Sequence, residues 1–202
     1  MYEYKDINRL TRAAVAVLWV YLVTKFLVAL GQFYSVAVTG EPLSPGLLVA
    51  FGLIAMVFLL SMAVGFILVG CWIYRASANA HVLAGDDLSI SAGWAVGWYF
   101  IPFANLYQPY VAMKETWLAS HYRGDWGVGE TPALLPWWWG LWIVSGVLGE
   151  VVFITRKDSP SFSADAGLAS GVLTVAPSLV LIRIMRQIRD AQKDTHQADI
   201  FA

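Results

Sequence analysis

The chain is 202 residues long, 58% hydrophobic and only 13% charged, about half the charged fraction of an average soluble domain. Its 13 Lys and Arg nearly cancel 14 Asp and Glu, for a net charge of −1, which leaves neither a basic field for nucleic acid nor an acidic, solvated tail. One cysteine, Cys71, and three histidines exclude an internal disulfide and any multi-cysteine zinc site, so the composition predicts an all-α integral membrane bundle with no metal and no cofactor.

A helix rising about 1.5 Å per residue needs roughly 20 apolar residues to cross about 30 Å of hydrocarbon. The first such stretch, residues 13–36, contains one charge, Lys25. Lys5, Arg9 and Arg12 before it and Ser35, Val36 and Ala37 at its end imitate a signal peptide. The apolar run is longer than the roughly 7 to 15 residues a signal uses, so the segment is expected to stay as a span. Residues 47–74 form the second span and hold no charge. Beyond it Trp72, Arg75 and Asn79 fall at i, i+3 and i+7 on one narrow helical face, and Gly85 is a reasonable stop.

Residues 93–113 are different. Pro102 and Pro109 remove two backbone donors, and Asn105 and Gln108 add polar side chains between them. A plain lipid-facing helix is not written so. The third span is 136–154, opened by Trp137, Trp138 and Trp139, and the fourth is 166–184, with Pro177 near its middle. Such a proline is tolerated where a neighbour satisfies the freed carbonyl. In the tail 183–194, Arg183, Arg186, Arg189 and Lys193 form a basic stripe with Ile184, Ile188 and Ala191 opposite, suited to anionic headgroups.

Lys and Arg gather in short cytoplasmic loops. If 93–113 crosses fully, with the N-terminus inside, the basic residues outside the spans divide six against six. If it dips in and returns, or lies in the interface, ten fall inside and two outside. The expected topology is therefore four spans plus one broken, re-entrant or interfacial segment, with both termini cytoplasmic. Arg75 and Asn79 are expected to hold the exposed backbone of that segment, and Trp94 and Trp98, one turn apart, to anchor its entry at headgroup level.

Intramembrane charges are functional candidates. Lys25 lies roughly 12 residues into its span and Glu150 roughly 14 into a span of the same direction, about 3 Å apart in depth, so the two are expected to form a buried ion pair. Catalytic signatures are absent: neither HExxH nor GxSxG occurs, and no Gly-rich phosphate loop is present. His81 with Asp86 and Asp87, and His121 with Asp125, lack diagnostic metal spacing. The small-residue ladders Gly93 and Gly97, and Ser163, Gly167 and Gly171, suit close helix packing within the chain or between chains.

The run from Trp72 to Ala80, WIYRASANA, followed by GWAVGWYFIPFANLYQPYVAMKETW from Gly93 to Trp117, resembles the bacterial membrane-protein family named domain of unknown function 4328. The resemblance rests on Trp72, Tyr74, Arg75, Ala76, Asn79, Gly93, Trp94, Gly97, Trp98, Pro102, Asn105, Leu106 and Pro109. Gln108 stands where the family pattern carries a basic residue. The resemblance implies a bacterial membrane location and no activity. The functional expectation is a non-enzymatic accessory or scaffold protein of the bacterial cytoplasmic membrane. It would bind a partner membrane protein or larger complex, a lipid or a small molecule through Arg75, Asn79, Trp94, Trp98, Asn105 and Gln108. The rival expectation is a small transporter or channel component with a polar path through the broken segment.

Overall fold

The computed structural model describes residues 2–34, 44–84, 88–122, 127–155 and 157–201. Positions 35 and 36 of the first expected span, Gly85, Asp86, Asp87, Arg123, Asp125 and Arg156 lie outside the described residues. Among those described, the chain forms six α-helices and no strand: α1 Asn8–Phe33, α2 Pro45–Ala84, α3 Ala92–Gly97, α4 Gln108–Tyr122, α5 Leu134–Thr155 and α6 Pro160–Phe201. Four of them, α1, α2, α5 and α6, are long and apolar enough to cross a membrane. The all-α helical bundle expected from composition is therefore the observed architecture.

Two of these helices run well past their apolar stretches. At 40 and 42 residues, α2 and α6 are about 60 Å long, roughly twice a hydrocarbon core. The fourth span and the basic tail, read separately from the sequence, are one continuous helix that passes Pro177 without ending. Pro177 has no N–H to give to the carbonyl of Leu173, four residues earlier. Ser145 of α5 supplies the missing donor, sharing its hydroxyl between Leu141 O at 2.7 Å in its own helix and Leu173 O at 3.3 Å.

The chain forms two compact units, one of residues 1–15, 66–137 and 180–202, the other of residues 16–65 and 138–179. The second unit is a packing of apolar helix surfaces. A side chain at Gly31 of α1 would collide with the Phe51 ring of α2, and one at Gly171 of α6 would meet Ala29 Cβ at 3.2 Å. Small residues thus let helices approach where apolar burial supplies no drive against lipid. The Gly167 and Gly171 ladder faces Gln32 and Ala29 of α1, so it packs within the chain. Hydroxyls in this unit turn back on their own helices: Thr24 donates to Val20 O, Ser61 to Phe58 O, Thr174 to Ser170 O and Ser178 to Thr174 O. Leu48, Val49, Leu53, Leu59, Leu60 and Val147 stay exposed, as lipid-facing residues do.

The first unit has a core in the ordinary sense. Trp72, Leu135, Ile184, Met185 and Ile188 are fully buried. Residues 2–7 form no helix. Ile7, buried, accepts the Thr11 N–H at 2.8 Å as α1 begins, and Asp6 Oδ1 accepts the Asn8 N–H at 2.9 Å.

Candidate functional site

The broken segment is a helix, a break and a helix. Ser91 caps α3, accepting the Trp94 N–H on its side chain and the Ala95 N–H on its carbonyl. After six residues α3 passes into a 3-10 turn, Trp98–Phe100. Ile101, held extended at φ −103° and ψ 114° by the ring of the following Pro102, stops it. Phe103 then takes φ 65°, the only non-glycine residue with positive φ among the described residues. A second 3-10 turn, Ala104–Leu106, leads into α4. Such a conformation, with ψ −48°, costs roughly 1 to 3 kcal/mol, and the side chain points outward: Phe103 is 88% exposed.

The break satisfies much of its own backbone. Ala104 N–H bonds Pro102 O at 2.8 Å, Asn105 N–H bonds Ile101 O at 2.9 Å, Leu106 N–H bonds Phe103 O at 3.1 Å and Tyr107 N–H bonds Ala104 O at 3.1 Å. Asn79 does not hold this backbone as expected, because its amide is engaged by Lys5 and Gln192, and among the described residues no hydrogen bond joins Arg75 to the break. Pro109 does not break a helix either; it sits in the first turn of α4, where a missing N–H costs nothing. Arg75 is half-buried and lies over the neighbouring Tyr74 ring at 5.6 Å.

Trp94 and Trp98 pack on each other with centroids 4.7 Å apart, and Gly97 fits under the Trp94 ring. Trp98 Nε1 and Asn105 Oδ1 are buried atoms with no hydrogen-bond partner among the described residues. Gln108 opens α4. Around them Phe100, Ile101, Phe103, Leu106 and Tyr107 are all exposed. The segment lies against α2 through Val96, 3.8 Å from the position of a Cβ on Gly70, and through Phe100, set edge-on to Phe66 at 5.8 Å.

Asn79 works elsewhere. Fully buried, its side-chain amide pairs with the main chain of Lys5: Oδ1 accepts the Lys5 N–H at 3.0 Å and Nδ2 donates to Lys5 O at 2.8 Å. Nδ2 also donates to Gln192 Oε1 at 3.0 Å, while Gln192 Nε2 donates to Ala76 O at 2.8 Å and Ser120 Oγ at 3.0 Å. Tyr4 OH donates to Gln192 O at 3.2 Å, and its ring stacks on His196 at 3.8 Å. Tyr2 tilts against His81 at 4.9 Å, and its hydroxyl accepts the Ala92 N–H at 3.2 Å where α3 starts. Gln192, Ser120, Tyr2 and Tyr4 were not singled out from the sequence. One signal for Gln192 exists: it continues the four-residue spacing of Ile184 and Ile188, a polar side chain on an apolar stripe.

The expected ion pair is not formed. Lys25 Nζ donates to Thr174 Oγ1 at 2.6 Å, and Glu150 is exposed. Equal depth fixed only one coordinate. Glu150 lies about 140° around α5 from Ser145, the residue that meets α6, at about 100° per residue. In the tail, Arg183, Arg186 and Lys193 are exposed, opposite buried Ile184, Met185 and Ile188, while Arg189 forms a bidentate pair with Asp190 at 2.8 and 2.9 Å. The stripe expected to meet headgroups is thus an accessible face with one cation neutralised. His121 stacks on Trp117 at 4.2 Å, its Nδ1 2.9 Å from Trp117 O. Among the described residues no three His, Cys, Asp or Glu converge as metal ligands.

A family model described as domain of unknown function (DUF4328) matches residues 41–194. No curated protein and no solved structure matches the chain.

Proposed function

The chain belongs to the DUF4328 family, and we propose that it is a non-enzymatic accessory protein of the bacterial cytoplasmic membrane, with both termini cytoplasmic, that offers its broken segment to a partner membrane protein. One observation carries the reading: Phe100 rests on Phe66, nine residues before Arg75, the first charge after the second span. Nine residues are about 14 Å of helix, so Phe100 lies alongside an apolar part of α2. A re-entrant position of the break accounts for that depth. It also accounts for the exposure of Phe103 and its neighbours, a cluster that water would penalise and that lipid or a protein groove accommodates. The backbone inside such a break has to be satisfied without water, and four N–H groups of this one are bonded within it.

Depth is tested by single cysteines, Phe100→Cys and Phe103→Cys, in a Cys71→Ala background. Both should resist membrane-impermeant reagents added from either side, while a cysteine at Ser89 should react from the cytoplasmic side. Labelling of Phe103→Cys from the outer face alone would mean a full crossing. For the accessory role, the wild-type chain purified in mild detergent should retain a stoichiometric partner that the variant Phe100→Ser with Phe103→Ser loses. A wild-type chain with no partner, but with solute flux in liposomes, would favour the transporter reading instead.

A further inference from the structure

Residues 2–7 occupy a groove whose chemistry is that of a peptide receptor. Lys5 is read by its main chain alone: its side chain is exposed, while its N–H and C=O both pair with the Asn79 amide. This is the two-bond exchange that opposed residues make in an antiparallel ladder, performed by a side chain. Gln192 fixes the orientation of that amide, because its Oε1 accepts from Asn79 Nδ2 and its own Nε2 is held by Ala76 O and Ser120 Oγ. The reader is thus rigid and preorganised. Tyr2 and Tyr4 each meet a histidine ring, while Glu3 between them is exposed. Ile7 fills a buried position. Nothing in these contacts depends on the segment being covalently joined to α1, and an empty groove would strand the Asn79 amide away from water.

We infer that this groove is a recognition site for an extended peptide, filled in this chain by its own residues 2–7, and that a segment of another protein with two aromatic side chains two residues apart exchanges with them. Docking of a strand-like segment by main-chain bonds with alternate side chains in pockets is a general mode of peptide recognition. The inference is independent of the accessory role, since the broken segment contributes to the groove only the Ala92 N–H that Tyr2 OH accepts.

The probe is a fluorescent peptide of residues 2–9, YEYKDINR, measured by anisotropy against the full chain in detergent. The chain bearing Tyr2→Ala and Tyr4→Ala, whose own segment is weakened, should bind it at least tenfold tighter than the wild-type chain does. The same peptide with Lys5→Pro, which has no N–H for Asn79 Oδ1, should bind that chain at least tenfold more weakly, whereas the Lys5→Ala peptide should match the parent. Equal binding of the Lys5→Pro peptide, or no binding of the parent at millimolar concentration, overturns the proposal. A second measurement uses the unaltered protein: excess parent peptide should speed hydrogen exchange at the Lys5 amide severalfold, and the Lys5→Pro peptide should not. No acceleration by the parent peptide would equally overturn it.

Discussion

The two units solve the problem of polar groups in opposite ways. In the unit of residues 16–65 and 138–179, the hydroxyls of Thr24, Ser61, Thr174 and Ser178 bond carbonyls of their own helices. Between helices there, Gly31 fits against the Phe51 ring and Gly171 against Ala29, and Tyr21 stacks on Phe58. In the unit of residues 1–15, 66–137 and 180–202, Asn79, Gln192, Ser120 and Trp72 bond across the sequence, up to 116 positions away. The difference teaches where uniqueness resides. Apart from the bonds of Lys25 to Thr174 and Ser145 to Leu173, the hydroxyls of the first arrangement constrain no neighbour, so it is specified largely by shape, and the second by a polar network that only one set of partners completes.

The sharpest way to break this comparison is Asn79→Leu. It leaves Gln192 Oε1 without a partner in a buried site and the Lys5 N–H and C=O without one in a part-buried site, at about 1 to 3 kcal/mol for a buried group and less for the others, so a loss of at least about 2 kcal/mol is expected in denaturant or thermal unfolding followed by tryptophan fluorescence. A loss below about 1 kcal/mol would mean that the network orders nothing. Trp72→Phe is milder. The indole Nε1 donates to Thr11 Oγ1 at 2.9 Å with both residues fully buried, and about 1 to 2 kcal/mol should disappear with that bond.

In the other unit Ser145→Ala removes the donor that serves Leu173 O opposite Pro177. A loss of about 1 kcal/mol is expected, and Pro177→Ala, which restores the helical N–H, should recover most of it. Strictly additive losses in that double-mutant cycle would show that the hydroxyl and the proline are unrelated. Ser61→Ala, which removes only a bond to its own helix, should change stability by no more than about 0.5 kcal/mol.

The smallest expected effect is on pH. All three histidines, His81, His121 and His196, belong to the first unit. Partial desolvation where the ring stacks on Trp117 lowers the pKa of the otherwise exposed His121 below the ordinary histidine value, partly offset by the Trp117 carbonyl. The unfolded chain therefore takes the proton first as pH falls. Stability from this group is complete above the ordinary histidine value and is lost on acidification toward the folded one. The midpoint of unfolding should drop between pH 7.5 and 5.5, and less so in His121→Gln. An unchanged drop in that variant would assign the effect elsewhere.

The spans were legible because length and apolarity are local properties: α1, α2, α5 and α6 follow from runs that no water-soluble chain would carry. The break was legible for the same reason, since Pro102 and the polar pair Asn105 and Gln108 disturb an otherwise apolar run. Partnership was not. Trp72, Arg75 and Asn79 share a face by spacing, yet what Asn79 meets is set by residues 5 and 192, which local periodicity cannot rank. Depth along a span placed Lys25 level with Glu150, but the angle around each helix depends on packing, and packing gave Lys25 to Thr174. Pro109 misled because a proline that ends one helix and a proline that begins the next look alike in sequence.

The bond from Lys25 to Thr174 joins residues 149 positions apart. At about 5 to 20 residues per second of synthesis, the hydroxyl leaves the ribosome roughly 7 to 30 s after the ammonium does. During that interval the first helix carries a cation whose eventual partner has not yet been made. Its own helix offers company meanwhile, the Tyr21 ring one turn earlier at 5.8 Å. The hydroxyls of Thr24 and Ser61 are bonded within their own helices and wait for nothing. Insertion of this chain therefore has one step that completes only when the last span arrives, and Lys25 is the residue that keeps the time.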